Sequence, residues 1–389
     1  FAYFFLDENC SHLNLAILEV VKPEWDLLSK FPLTVIPLDT VRAVAEIPGA
    51  VASVRQSPNL KQELAGRLSV LTTDELARLA VWRETGEFKL DGSETAPLLD
   101  AWLTERKLKT IREKKGDLSP SESELRHQIL LARAKAPGDP QRAVPASTQT
   151  SPDSGHRNGK FWSGVGFANG AQAGWVLGHR FAYHDLLDAD PGHLPFSEIE
   201  VVGIEASYQW AREAGVSPFR FNRLRLLRST SLNPVDLTGS PWSWHLSIGG
   251  ERIALWNGRT PMVADFQFAL GKSAYLGVRS RRALVFALAR LGFQGNGVFA
   301  AGVRGGPGLW LGIISSPVPR LKWLVDLEAL WNPWQPIAQG GRTVWRLGVG
   351  VGASLAQNWE LRGESKIEAG FQRVSDFGWE SSVRLARYY

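Results

Sequence analysis

The chain has 389 residues, enough for two domains, and carries 44 Lys and Arg against 39 Asp and Glu. That mild, dispersed basicity fits contact with an anionic surface at most, and no nucleic-acid motif is present. No apolar run reaches the roughly 18 residues a transmembrane helix needs, which leaves open a membrane β-barrel, whose strands are about ten residues long.

The chain opens at Phe1 and its sole methionine is Met262, so the expectation is a fragment or processed form, with any signal peptide outside it. An aromatic run leads into Cys10. The stretch from Ser11 to Val21 then reads as a helix, with Leu13, Ile17, Val20 and Val21 at helical spacing and Pro23 ending it. Asp7 and Asn9 are candidate N-caps, which puts Cys10 in the first turn. There, unpaired N–H groups and the positive end of the helix dipole favour a thiolate. A second helix follows with Asp39 or Thr40 as its cap. Further helices are expected over Leu60–Leu71, Thr73–Glu84 with Thr73 as cap, Ala96–Lys115, and Ser121–Lys135 with a capping box from Ser121 to Glu124. Prolines 137, 140, 145 and 152 among small and polar residues mark a linker.

Composition changes at that linker. Only 3 of 16 tryptophans and 6 of 38 glycines precede Ser151. Residues 1–150 hold 19 basic and 21 acidic side chains, and the remainder holds 25 and 18. From Asn158 onward the hydrophobic period is two, with roughly twelve alternating segments. In Trp359–Ala369, Trp359, Leu361, Ile367 and Ala369 share one face, and Glu360, Arg362, Glu364, Lys366 and Glu368 the other. In Val344–Leu355, Trp345, Leu347, Val349 and Val351 oppose Arg346, three glycines and Ser354. Lys322–Ala329 and Trp242–Ile248 alternate too. Tryptophans near strand ends and an aromatic C-terminus favour an outer-membrane barrel, its apolar face toward lipid and its charged face lining the lumen. The expected organisation is therefore α+β: helical residues 1–135, a proline-rich linker at 136–157 and an antiparallel barrel at 158–389.

For chemistry, Cys10 is the nucleophile candidate with a physical context, and Asn9 could lend it polar support. Such a thiol needs a base, normally His. His12 is near in sequence, but residues two apart on a helix face different ways. His156, in Ser-Gly-His-Arg, and His184 with Asp185, in Tyr-His-Asp-Leu-Leu-Asp, fall at expected loops or strand ends. Their plain reading is a hydrogen-bonded turn. Histidine spacing shows no metal pattern, and no P-loop, GxGxxG, HExxH or CxxC occurs, so neither cofactor nor metal is implied.

The run Tyr3-Phe4-Phe5-Leu6-Asp7-Glu8-Asn9-Cys10-Ser11-His12-Leu13 and the stretch Val35-Ile36-Pro37-Leu38-Asp39-Thr40-Val41-Arg42 resemble the Lnb N-terminal periplasmic domain family. The segments Gly155-His156-Arg157, Arg180–Asp188, Ser231-Leu232-Asn233-Pro234 and Ser243-Trp244 resemble landmarks of domains fused to it. The resemblance implies a papain-like thiol fold of the permuted NlpC/P60 type, whose histidine motif precedes the cysteine and would here lie upstream of Phe1. It also implies lipoprotein N-acylation, in which Cys10 takes an acyl chain from a membrane phospholipid and passes it to a lipoprotein amine. Alternatives are a cysteine peptidase or amidase acting on cell-wall material, and a non-enzymatic barrel with a partner-binding periplasmic cap.

Overall fold

The computed structural model describes residues 9–32, 35–55, 57–86, 88, 91–113, 119–136, 151–168, 173–210, 217–253, 260–277, 282–299, 301–333, 343–370 and 377–389. Two compact units emerge: residues 1–53, 150–235 and 241–389 form one, and 54–149 with 236–240 the other.

The smaller unit holds α3 (Leu60–Ser69), α4 (Thr73–Thr85), α5 (Ala96–Arg112) and α6 (Pro120–Lys135). Leu64, Leu68, Leu79, Trp82, Leu98, Leu99, Trp102 and Ile129 make its core. The caps sit slightly upstream of their expected places. Thr72, not Thr73, accepts from the Glu75 N–H and completes a capping box with the Glu75 side chain. Ser119, not Ser121, caps α6, because Pro120 is well suited to the first helical position, where no N–H is needed.

The larger unit opens with α1 (Cys10–Val21) and α2 (Pro37–Ala45). Asn9 caps α1 by accepting from Ser11 N–H at 3.0 Å and His12 N–H at 3.2 Å. Asp7 lies outside the described residues. In α2, Ile36 occupies the cap position and Pro37 begins the helix, which puts Asp39 and Thr40 inside the first turn rather than at the cap. Periodicity located α1 but not its packed face: Leu15 is buried with Leu27 and Ala43, whereas Leu13, Ile17, Val20 and Val21 are exposed.

The rest of this unit is a closed barrel. Its strands are β1 (Lys160–Ala168), β2 (Gly174–His184), β3 (Ser197–Gln209), β4 (Phe219–Ser231), the two-residue β5 (Pro234–Val235), β6 (Ser243–Arg252), β7 (Met262–Tyr275), β8 (Ala283–Gly295), β9 (Val303–Val318), β10 (Leu321–Trp331), β11 (Thr343–Ala356), β12 (Trp359–Gly370) and β13 (Phe377–Tyr388). Apart from β5, which runs parallel to β7, every pairing is antiparallel, and β1 pairs with β13 from Lys160↔Tyr388 to Ala168↔Glu380. Among the described residues twelve long strands thus close with no free edge, the arrangement that satisfies backbone hydrogen bonding in lipid.

Side-chain alternation fixes inside and outside. On β7, Phe266, Phe268 and Leu270 are exposed, while Asp265, Gln267 and Ala269 are buried. On β11 and β12, Leu347, Val349, Val351, Leu361 and Ile367 point outward, as their alternation requires, while Glu360 and Arg362 are buried. Exposed Trp242, Trp331 and Trp359 sit at strand ends, where indole suits the lipid–water boundary.

The lumen differs from the expected charged lining in its near half, at the mouth where the chain enters at β1 and leaves at β13. Leu284, Phe286 and Leu288 of β8 point inward there and pack with Trp310 and Ile314 of β9 and with Leu186, Phe196 and Leu232. The cause is the β2–β3 connection, residues 185–196, which folds into the mouth and brings its own apolar side chains. Its Leu187 passes so close to β11 that a Cβ on Gly350 would lie 2.5 Å from Leu187 Cδ1. The inward glycines of β11 thus leave room for the connection. Deeper in, ion pairs reach across the lumen: Arg346 of β11 meets Glu251 of β6 at 3.2 Å as well as Glu368 of the neighbouring β12 at 3.1 Å.

Candidate functional site at the barrel mouth

The inward fold of residues 185–196 gathers polar groups at the entry mouth. Asp188 is fully buried and accepts from Lys160 Nζ, Arg180 Nη2, Arg362 Nη2 and the Tyr388 hydroxyl, each at 2.7 Å. Asp185 accepts from Arg180 at 2.9 Å and Arg362 at 2.7 Å. Glu360 accepts from Lys160 at 3.2 Å and from Arg362, and shares with Asp188 the single proton of the Tyr388 hydroxyl. Three carboxylates face three cations, so the buried cluster is electrically balanced. Burial pushes the Asp188 carboxyl up, but Arg180, Lys160 and Arg362 together outweigh it and hold the group well below the usual range. Asp185 is depressed in the same way, burial being opposed chiefly by Arg362. Lys322 ties the far wall to the connection, donating to Asp190 at 2.6 Å.

Three imidazoles stack beside this cluster. His156 and His193 have ring centroids 4.3 Å apart, and His184 and His193 4.2 Å. His156 Nδ1 lies 2.7 Å from the Arg157 carbonyl oxygen, so that nitrogen carries the proton, and Nε2 faces His184 Nδ1 at 2.9 Å. Asp188 Oδ2 is 3.8 Å from both His156 Nε2 and His184 Nδ1. The His193 Nε2 atom is buried with no hydrogen-bond partner. Burial lowers His156 to about 3 and His193 to about 4, with Asp188 opposing in each case. Both rings are neutral at pH 7. His156, His184 and Asp185, singled out separately in the sequence, thus meet in one place. His193, Lys160, Arg180, Asp188, Glu360, Arg362 and Tyr388 were not singled out for chemistry. Strand register brings in Lys160, Arg180, Glu360, Arg362 and Tyr388, and the inward-folded 185–196 connection brings in Asp188 and His193.

Cys10 is the first residue of α1 and is exposed. Asn9, beneath it, is buried and also donates to the Val35 carbonyl at 2.6 Å, which ties the start of α1 to the approach to α2. Among the described residues no histidine is hydrogen-bonded to the Cys10 sulfur, and His12 uses its backbone N–H on the Asn9 cap. Helix α2 is fastened to the mouth by Arg42. This buried guanidinium donates to the carbonyls of Pro152 (3.2 Å), Asp153 (3.0 Å), Gly155 (3.1 Å) and His156 (2.9 Å), and to Asp39 at 3.2 Å. Glu46 adds an exposed pair with Arg157 at 2.6 Å. A shallow cleft of about 200 Å³ lies here, bordered by Arg42, Glu46, Arg157 and Gln357.

A family model described as a domain of unknown function (DUF7840) matches residues 149–388, well over half the chain. The chain belongs to this family. Residues 1–46 match the model of the Lnb N-terminal periplasmic domain. The barrel is similar to three solved structures in particular. The NanC porin is 6% identical with a TM-score of 0.36, over 59% of this chain and 99% of that one. LpxR from Salmonella typhimurium is 13% identical with a TM-score of 0.33, over 59% and 100%. An anion-selective porin from Comamonas acidovorans is 10% identical with a TM-score of 0.28, over 59% and 98%. Comparison with curated proteins finds no match. The DUF7840 barrel, apolar outside and closed on itself, is of the outer-membrane type, and the Lnb-type stretch lies on the periplasmic side.

Proposed function

We propose that this DUF7840 protein is a cell-envelope thiol acyltransferase carried on a closed outer-membrane barrel. The observation that carries the reading is the attachment of the Lnb-type segment to the mouth. Arg42 bonds four carbonyls of residues 152–156, and Asn9 links the start of α1 to the residues leading into α2. An exposed Cys10 at a capped helix start is thereby held in the same compact unit as a membrane-embedded wall. The proposal requires that this thiol reach membrane phospholipid.

The chemistry runs in two steps. A base takes the proton of the Cys10 thiol, the thiolate attacks a phospholipid ester carbonyl, the lysophospholipid alkoxide leaves with that proton, and a thioester remains. The α-amine of a lipoprotein then attacks that carbonyl, the thiolate departs, and an amide forms. The papain-like character of the helical part belongs to this proposal, supported by the Lnb-type match over residues 1–46.

The test is mass spectrometry of the full-length protein incubated with phospholipid. Acyl adducts on Cys10 that vanish in Cys10→Ala, with acyl transfer to a lipoprotein-like peptide amine, are the expected result. Cleavage of cell-wall fragments without acyl adducts would instead assign a peptidase or amidase. An inert thiol in both assays would leave a barrel whose periplasmic segment binds a partner.

A further inference from the structure

We propose that His156, His184 and His193 form a site for one divalent transition-metal ion of the zinc class at the periplasmic mouth of the barrel. The inference stands apart from Cys10 and from acyl transfer.

Four features point to it. Each of the three residues can bring one ring nitrogen within 4.8 Å of the other two. His156 Nε2 and His184 Nδ1 are 2.9 Å apart, and Asp188 Oδ2 is 3.8 Å from each. Tetrahedral zinc with bonds of about 2.0–2.1 Å sets neighbouring ligand atoms roughly 3.4 Å apart, between those two separations. An ion can therefore replace the proton now shared by His156 and His184, with the Asp188 carboxylate beside it. The His156 Nδ1 contact with the Arg157 carbonyl is the orienting bond that metal-bound histidines characteristically make, and it turns Nε2 toward the site. His193 Nε2 is buried without a hydrogen-bond partner. Buried polar atoms normally have one, or mark the place of a water or ion.

The rings stand nearly parallel, His184 and His193 within 7°, so their in-plane lone pairs run side by side. Binding thus requires His193 to turn about its side-chain bonds. His193 is the one of the three on the 185–196 connection beyond the end of β2. The donor set of imidazoles with a nearby carboxylate selects zinc-like ions over calcium or magnesium, which take oxygen ligands.

The experiment uses the full-length chain in detergent, stripped with a chelator and titrated with Zn²⁺ and separately with Co²⁺. The expected result is one equivalent bound, visible Co²⁺ bands of tetrahedral nitrogen and oxygen ligation, and a raised unfolding temperature. His193→Ala should weaken Zn²⁺ binding at least about a hundredfold while the barrel still shows heat-dependent migration on SDS gels. His156→Ala should do the same, and Cys10→Ser should bind as the natural chain does. Absence of stoichiometric binding overturns the proposal. So does binding that survives His193→Ala, or binding lost in Cys10→Ser.

Discussion

Replacing Arg42 by Ala tests whether one side chain fastens the Lnb-type segment to the barrel. The guanidinium is 7% exposed and meets four backbone carbonyls at 2.9–3.2 Å. Nη2 alone serves three of those carbonyls with two hydrogens, so some of these bonds are shared. At about 1 kcal/mol net per carbonyl, the attachment is worth about 4 kcal/mol. Because each 1.4 kcal/mol is about tenfold, the undocked population should rise about a thousandfold. Hydrogen exchange of the full-length protein in detergent reads this directly. Amides of α2 and of residues 153–156 should exchange up to about a thousandfold faster in Arg42→Ala, while amides of the strands far from the mouth stay as in the natural chain. Arg42→Lys should fall between, since one ammonium cannot reproduce the planar fork. Exchange at α2 within about threefold of the natural rate would refute the reasoning and move the attachment to other contacts.

Three further outcomes follow from the mouth and lumen. Asp188→Asn removes the anion shared by Lys160, Arg180 and Arg362 and should destabilise the barrel by about 3–5 kcal/mol in urea unfolding, because it leaves buried cations uncompensated. The full-length protein should show no stepwise conductance in planar bilayers, since the 185–196 connection fills the mouth and Arg346 reaches across the lumen to Glu251; porin-like steps would contradict this. The metal-free protein should lose stability as pH falls from 7 to 5: unfolded imidazoles take protons near the ordinary 6.5, whereas folded His156 and His193 resist until about 3 and 4. That contribution is fully present above 6.5 and declines through the window below it. An unfolding temperature flat across this range, after correction with His156→Gln, would count against neutral rings in the folded mouth.

Alternation along the chain was enough to specify the barrel. A period of two persists from β1 to β13 because each strand has one face on lipid and one on the lumen, and Leu361 and Arg362 show that division within two positions. The capped start of α1 was equally local, since the Asn9 side-chain oxygen accepts from residues 11 and 12. Exact caps were less legible: Pro37 and Pro120 each begin a helix at a position that shifts the cap from the expected Asp39, Thr40 or Ser121. Tertiary structure decided the rest. Helix period could not say that α1 buries Leu15 and leaves Ile17 and Val20 exposed, because that choice depends on where Leu27 and Ala43 come to lie. Nor could any spacing place Arg42 on carbonyls more than 100 residues later, or join Asp188 to Arg362 and Tyr388. His156, His184 and His193 sit on the approach to β1, the end of β2 and the connection beyond it, and they meet because β1 pairs with β2 and the connection folds inward. Local sequence sets the period and the turns; contacts made by strand register and an inward-folded connection exist only once the barrel has closed.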